Sequence, residues 1–216
     1  MKISEKKIIF NVLLLIIFIS WGISVASHAP FIGTFDSALI DQIYHHNNSS
    51  IDFFRIITDM GDTFQTIVVT AFIFLLLIIK KYYYAGIFLV LNKVVIAGLN
   101  SLIKNIIKRP RPSHLHYVYA GGYSFPSGHS ASSFALYISI LVISLFIFKK
   151  LSLKIIISTL CISIVLLIGY SRIFLGVHYP SDVLGGYLLA ATVLTFNTLL
   201  FRAQNLTIFQ LQGIKK

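Results

Sequence analysis

Six stretches of this chain are too apolar and too long for an aqueous fold: residues 8–25, 63–79, 82–103, 129–148, 151–170 and 183–201. A helix needs about 20 mostly apolar residues to cross a ~30 Å hydrocarbon layer. In lipid, a helix satisfies its own backbone hydrogen bonds. Charged residues make up 12% of the chain and mean hydropathy is +0.85, against roughly 25% charged in a soluble domain. These features predict an all-α integral membrane protein, a bundle of six transmembrane helices forming one domain over residues 1–216. The first run exceeds the ~7–15 apolar residues of a signal peptide, so it is read as a span. The small residues Ala26 and Ser27 leave cleavage open.

Between the spans the chain changes character. Pro30 disfavours helical geometry at the residue before it and ends the first span. Phe35, Leu39, Ile40 and Ile43 recur at helical spacing among Asp36, Asp41 and Gln42. Residues 35–58 therefore read as an amphipathic surface helix. His45-His46-Asn47-Asn48 reads as an exposed polar turn rather than a metal site, and Asn47 and Asn48 begin glycosylation sequons. Cys161 is the single cysteine, which excludes an intrachain disulfide. No cysteine–histidine cluster has zinc spacing, so neither a metal nor a cofactor is expected. Lys93 falls mid-span. It either faces a cavity or pairs with a polar neighbour, and the sequence leaves both open.

The net charge of +11 does not signal nucleic-acid binding, because the chain has no soluble basic face. It is read as orientation plus an anion site. With the N-terminus inside, the inner segments hold Lys2, Lys6, Lys7, Lys80, Lys81, Lys149, Lys150, Lys154, Arg202, Lys215 and Lys216. The outer segments hold Arg55, Lys104, Lys108, Arg109, Arg111 and Arg172, and all the aspartates. The positive-inside rule then places both termini in the cytoplasm and the loops 104–128 and 171–182 together on the outer face.

Those two loops carry the chemistry. Residues 121–133 form a polar, glycine-rich stretch through Pro126-Ser127-Gly128-His129 into an apolar run. A helix starting there presents free N–H groups and a positive dipole end, a ready anion site. Lys104 and Arg111-Pro112 precede it, and Ser171-Arg172-x5-His178-x3-Asp182 follows. Lys104, Arg111 and Arg172 would supply positive charge to a phosphoryl group, the arginines as planar forks. The Ser127 hydroxyl and the Gly128 N–H would complete the cradle. Lys108 and Arg109 lie on the same stretch and read as headgroup contacts.

In order and spacing these three pieces resemble the signature of the type 2 phosphatidic acid phosphatase superfamily, over residues 104–182 and with no departure at a signature position. The resemblance implies that Lys104, Arg111, Ser127, Gly128 and Arg172 bind phosphate. It implies that His178 attacks phosphorus to form a phosphohistidine, and that Asp182 orients its imidazole. His129 would protonate the leaving oxygen and then activate water. The expected substrate is a membrane lipid phosphate. The leading expectation is undecaprenyl pyrophosphate, released on the outer face in bacterial wall synthesis. Phosphatidylglycerol phosphate and phosphatidic acid are the alternatives. A lipid-phosphate binder or transporter is the non-enzyme reading, which would not need His129, His178 and Asp182 together.

Overall fold

A computed structural model describes residues 5–43, 47–113 and 116–203. The expected turn at His45-His46, the basic residue Lys2 and the tail bearing Lys215 and Lys216 lie outside the described residues. Among the described residues eight helices follow in order: α1 (Glu5–Ala26), α2 (Pro30–Ile43), α3 (Asn48–Asp59), α4 (Thr63–Ile79), α5 (Tyr83–Ile107), α6 (Gly128–Ile147), α7 (Leu151–Phe174) and α8 (Pro180–Ala203). No strand occurs among the described residues.

Among the described residues five helices (α1, α5, α6, α7 and α8) are long and apolar enough to cross a membrane. The predicted second span matches α4, which qualifies only together with α3, across a 47° bend. The count is therefore five spans, or six if the bent pair is one. The expected surface helix 35–58 is two helices. Pro30 opens α2 rather than merely closing α1, a position where its missing N–H costs nothing. Asn47 caps α3 by accepting from Ser50 N at 2.8 Å.

The bundle is arranged around α6, which packs against α5, α7 and α8, while α1 lies on α8 and α4 on α5. The core includes the fully buried Phe88, Leu89, Leu136 and Ile168. Outward faces keep large apolar residues such as Ile16, Phe64, Val94 and Leu166, as lipid contact requires. Because lipid is as apolar as the core, helix association here leans on polar links and close packing. Asn197 donates to Asn92 Oδ1 at 2.8 Å and Asn92 donates to Ser139 Oγ at 3.1 Å, joining α8, α5 and α6. Asn11 donates to the Thr192 carbonyl at 3.0 Å and joins α1 to α8. At Gly186 the backbones of α8 and α6 come so close that a Cβ would lie 2.7 Å from the Ser127 carbonyl oxygen.

Two predicted loops are shorter than expected. α5 continues through Lys104, and α7 continues through Ser171 and Arg172. Both cations therefore project from rigid helix ends.

Candidate active site

The end of α5, the start of α6, the end of α7 and the α7–α8 connection meet around a cavity of about 570 Å³. Lys104, Arg111, Gly128, His129, Arg172 and His178 line it, and so does Lys93. No aspartate or glutamate is among the lining residues described. Four cations around a carboxylate-free cavity within a membrane bundle call for an anion.

Each expected site residue has a definite position. Ser127 is the N-cap of α6. Its hydroxyl accepts from Ser130 N at 3.4 Å and from Ser130 Oγ at 2.9 Å, and the residue is fully buried. The Ser127 hydroxyl is thus turned into the helix start and does not line the cavity. The cap satisfies Ser130 N and leaves the N–H groups of Gly128 and His129 without intrahelical acceptors. Asn100 on α5 holds the Pro126 carbonyl at 3.2 Å, and Ser127 N donates to the Asp182 carbonyl at 3.0 Å. The second and third sequence motifs are in this way bonded to each other.

Lys104 Nζ donates to the Tyr123 carbonyl at 2.5 Å and the Ser124 carbonyl at 3.3 Å. Arg111 reaches the Gly121 and Gly122 carbonyls at 2.7 and 3.1 Å with one edge, and Val177 O at 2.7 Å with Nη1. The same Nη1 lies 3.1 Å from His178 Nε2. Burial lowers the Arg111 basicity and the Asp182 carboxylate opposes that; a guanidinium remains charged regardless. Arg172 donates to Thr58 Oγ1 on α3 at 2.7 Å. Its Nε is buried without a hydrogen-bond partner among the described atoms. A buried guanidinium N–H left unpaired costs free energy, so Arg172 carries a donor without an acceptor among the described atoms.

The tautomer of His178 follows from its partners. Arg111 can only donate, so Nε2 must accept, and the ring proton sits on Nδ1. Nδ1 then donates to Asp182 Oδ2 at 3.3 Å. Burial pushes the His178 imidazole down to about 3, with Asp182 pulling the other way, so the ring is neutral near neutral pH. The result is an uncharged imidazole with its Nε2 lone pair at the cavity wall, held from behind by a carboxylate.

That carboxylate is itself anchored by groups the sequence reading did not assign. Asp182 Oδ2 also accepts from Ser124 Oγ and, at 2.9 Å, from Tyr179 N. Asp182 Oδ1 accepts from Arg109 Nη1 at 2.7 Å. Arg109 Nη2 donates to Asp36 on α2 at 2.8 Å, and its guanidinium lies 4.0 Å over the Tyr179 ring. Asp36 in turn accepts from Ser181 N at 2.8 Å and Ser181 Oγ at 2.7 Å. The expectation that Arg109 contacts headgroups is therefore corrected. It is mostly buried, and it bridges two carboxylates behind His178. Burial opposes its charge, yet Asp182 and Asp36 together hold its basicity above the ordinary value. Its sequence signal was weak: a cation next to a motif arginine, and an aspartate on the same predicted face.

His129 has a comparable partner. Asp62, in the bend between α3 and α4, places Oδ1 2.5 Å from His129 Nε2. His129 is close-packed against Gly61, where a Cβ would lie 3.1 Å from its ring. No group of three or more metal-ligating side chains occurs among the described residues.

A helical membrane bundle whose cation-lined cavity sets one histidine backed by aspartate against another defines a class of phosphate-handling membrane proteins. The profile of the PAP2 superfamily matches residues 83–206, more than half of the chain, and the chain belongs to that superfamily. It is 39% identical over 93 residues to phosphatidylglycerophosphatase B of Bacillus subtilis, covering 41% of this chain and 44% of that protein. It is 33% identical over 139 residues to the undecaprenyl-diphosphatase of Sulfolobus acidocaldarius, covering 62% of each. The chain thus spans less than two thirds of the length of these curated relatives. The structure is similar to the crystal structure of a transmembrane PAP2-type phosphatidylglycerolphosphate phosphatase from Bacillus subtilis. The TM-score is 0.78 at 25% identity, covering 89% of this chain and 96% of that one.

Proposed function

We propose that this protein hydrolyses a lipid phosphate or diphosphate through a phosphohistidine, with undecaprenyl pyrophosphate the leading substrate. One observation carries the reading: the neutral His178 ring, with Nε2 at the cavity wall and Nδ1 bonded to Asp182, among Lys104, Arg111 and Arg172. An anion binder needs the cations; it has no need of an imidazole locked in its nucleophilic tautomer.

In the first step His178 Nε2 attacks phosphorus and the bond to the leaving oxygen breaks. His129, beside Asp62, gives that oxygen its proton. Asp182 stabilises the positive charge that develops on the His178 ring. In the second step His129 takes a proton from water, the water oxygen attacks phosphorus, and the N–P bond breaks to release inorganic phosphate. Lys104, Arg111, Arg172 and the N–H of Gly128 stabilise the equatorial oxygens throughout. Ser127 contributes by capping α6, which aims that N–H. Arg111 must turn from Nε2 toward the phosphoryl oxygens when substrate binds.

The site sits where a lipid headgroup would lie, at the outer end of the spans, with both termini in the cytoplasm. This orientation rests on the basic-residue asymmetry. Phosphatidylglycerol phosphate and phosphatidic acid are the second reading, favoured by the likeness to phosphatidylglycerophosphatase B. Purified protein in detergent should release phosphate from undecaprenyl pyrophosphate and form an acid-labile, alkali-stable phosphoenzyme that His178→Ala abolishes. Turnover by a folded His178→Ala variant would sink the nucleophile assignment. Turnover of soluble monoesters alone would sink the lipid reading.

A further inference from the structure

Lys93 is a cation the single-phosphate reaction does not use. It lies mid-way along α5, eleven residues before Lys104, which is close to three full turns and so on the same helix face, about 16 Å deeper. Its ammonium reaches the Ser132 hydroxyl and, at 3.5 Å, the Ser132 carbonyl. Ser132 is one turn of α6 below His129, roughly 4.5 Å toward the membrane interior. Lys93, Ser132 and His129 all line the one cavity. The lysine has hydroxyl and carbonyl partners, and no carboxylate is among the lining residues to neutralise it. A charge kept inside a membrane bundle on such terms marks a functional site.

A lipid whose terminal phosphate sits among Lys104, Arg111 and Arg172 must run its tail toward the membrane interior. The groups just beyond the scissile bond, on the leaving side, then pass His129 and next Lys93. The geometry points to Lys93 as the site for a second phosphate on the tail side of the scissile one, making it a residue that selects two-phosphate lipids over one-phosphate lipids. This rests on the proposed phosphatase reading of the same cavity. The ligand chemistry has two sources: a prenyl diphosphate, with its second phosphorus one bridging oxygen away, and phosphatidylglycerol phosphate, with a phosphodiester beyond its glycerol. In either case Lys93 meets negative charge on the leaving group. With a phosphatidic acid it meets none.

Two matched pairs test this: prenyl diphosphate against prenyl monophosphate, and phosphatidylglycerol phosphate against phosphatidic acid with the same acyl chains. Lys93→Met should lower kcat/KM about 10- to 100-fold on the two-phosphate member of at least one pair, as expected for losing a charged hydrogen bond. The one-phosphate member should change less than about threefold, and Lys93→Arg should restore most of the loss. The pair that responds identifies the source. Equal loss on both members, or no loss on either two-phosphate lipid, would overturn the assignment. A binding arm needs no turnover: a prenyl methylenediphosphonate, or a phosphonate analogue of phosphatidylglycerol phosphate, should raise the melting temperature of the wild-type protein at a concentration at least tenfold lower than its one-phosphorus counterpart does. Lys93→Met should erase that difference. Equal potency within both pairs, or a difference that survives Lys93→Met, overturns the Lys93 site even if hydrolysis is confirmed. A difference that Lys93→Met erases supports it even if the hydrolysis reading fails.

Discussion

Replacing Arg109 by methionine should damage both stability and chemistry, although the residue does not line the cavity. Its guanidinium makes three short bonds, to Asp36 Oδ2 at 2.8 Å and to Asp182 Oδ1 and Ser181 Oγ at 2.7 Å. The Asp182 side chain is 0% exposed, that of Asp36 5% and that of Arg109 11%, so solvent screens little of the interaction. Removing one partner of a buried ion pair costs about 3–5 kcal/mol, because the other charge is stranded. Here two carboxylates share the loss. At about 2–4 °C per kcal/mol for a chain of this size, the detergent melting temperature should fall by about 6–20 °C. At a temperature where the variant is still folded, kcat should drop on the order of 10- to 100-fold with KM little changed. That is smaller than the ~10⁴-fold loss seen when a triad carboxylate is replaced outright, since Asp182 keeps its other donors. Arg109→Lys should recover only part, because one ammonium cannot fork to two carboxylates. Adding Asp36→Asn to Arg109→Met should cost far less than the sum of the single changes. An Arg109→Met protein with wild-type melting temperature and kcat would refute the bridge as a support of the histidine.

Asp62→Asn should reduce kcat by about tenfold or more by removing the carboxylate at His129 Nε2, measurable with any accepted lipid; an unchanged kcat would separate Asp62 from the proton transfer. Gly186→Ala should lower the melting temperature by the equivalent of about 1–3 kcal/mol of overpacking, because the new Cβ meets the Ser127 carbonyl oxygen rather than a movable side chain. For His178 the folded value of about 3 lies below the ordinary 6.5 because burial resists its charge. The unfolded chain therefore binds the proton first as pH falls. The associated stability is present above about pH 6.5 and is lost between there and about pH 3. A pH series of melting temperatures should show this slope, and His178→Asn should flatten it by up to one proton. Phosphate release should persist in excess EDTA, since side chains supply every role in the proposed reaction; a chelator-sensitive enzyme restored by magnesium would require a different mechanism.

Most of the bundle was legible because membrane insertion depends on the summed hydropathy of contiguous residues. The run 63–79 matches α4 residue for residue, and residues 8–25 fall within α1. The motif residues were legible as types at fixed spacing, and the fold brings Lys104, Arg111, Gly128, His129, Arg172 and His178 to one cavity. What stayed hidden depended on rotation and neighbours. Hydropathy cannot say that residues 35–58 hold two helices, since the second starts afresh at the extended Asn47, which caps α3. Spacing cannot say that the Ser127 hydroxyl turns into its own helix.

The sequence by itself determined that this is a helical membrane protein with a phosphate-handling signature, because transfer free energy and motif spacing are local quantities. The tertiary structure alone decided who stands behind the two histidines. Asp62 meets His129 across 67 residues, Arg109 meets Asp36 across 73, and Asp36 meets Ser181 across 145. Such pairings exist only after α2, α4, α6 and α8 have taken their places, since each needs two helix ends to face each other at hydrogen-bond distance. The same holds for Lys93: the sequence left a cavity-facing lysine and one paired with a polar neighbour as alternatives, and the fold makes it both, lining the cavity and bonded to Ser132.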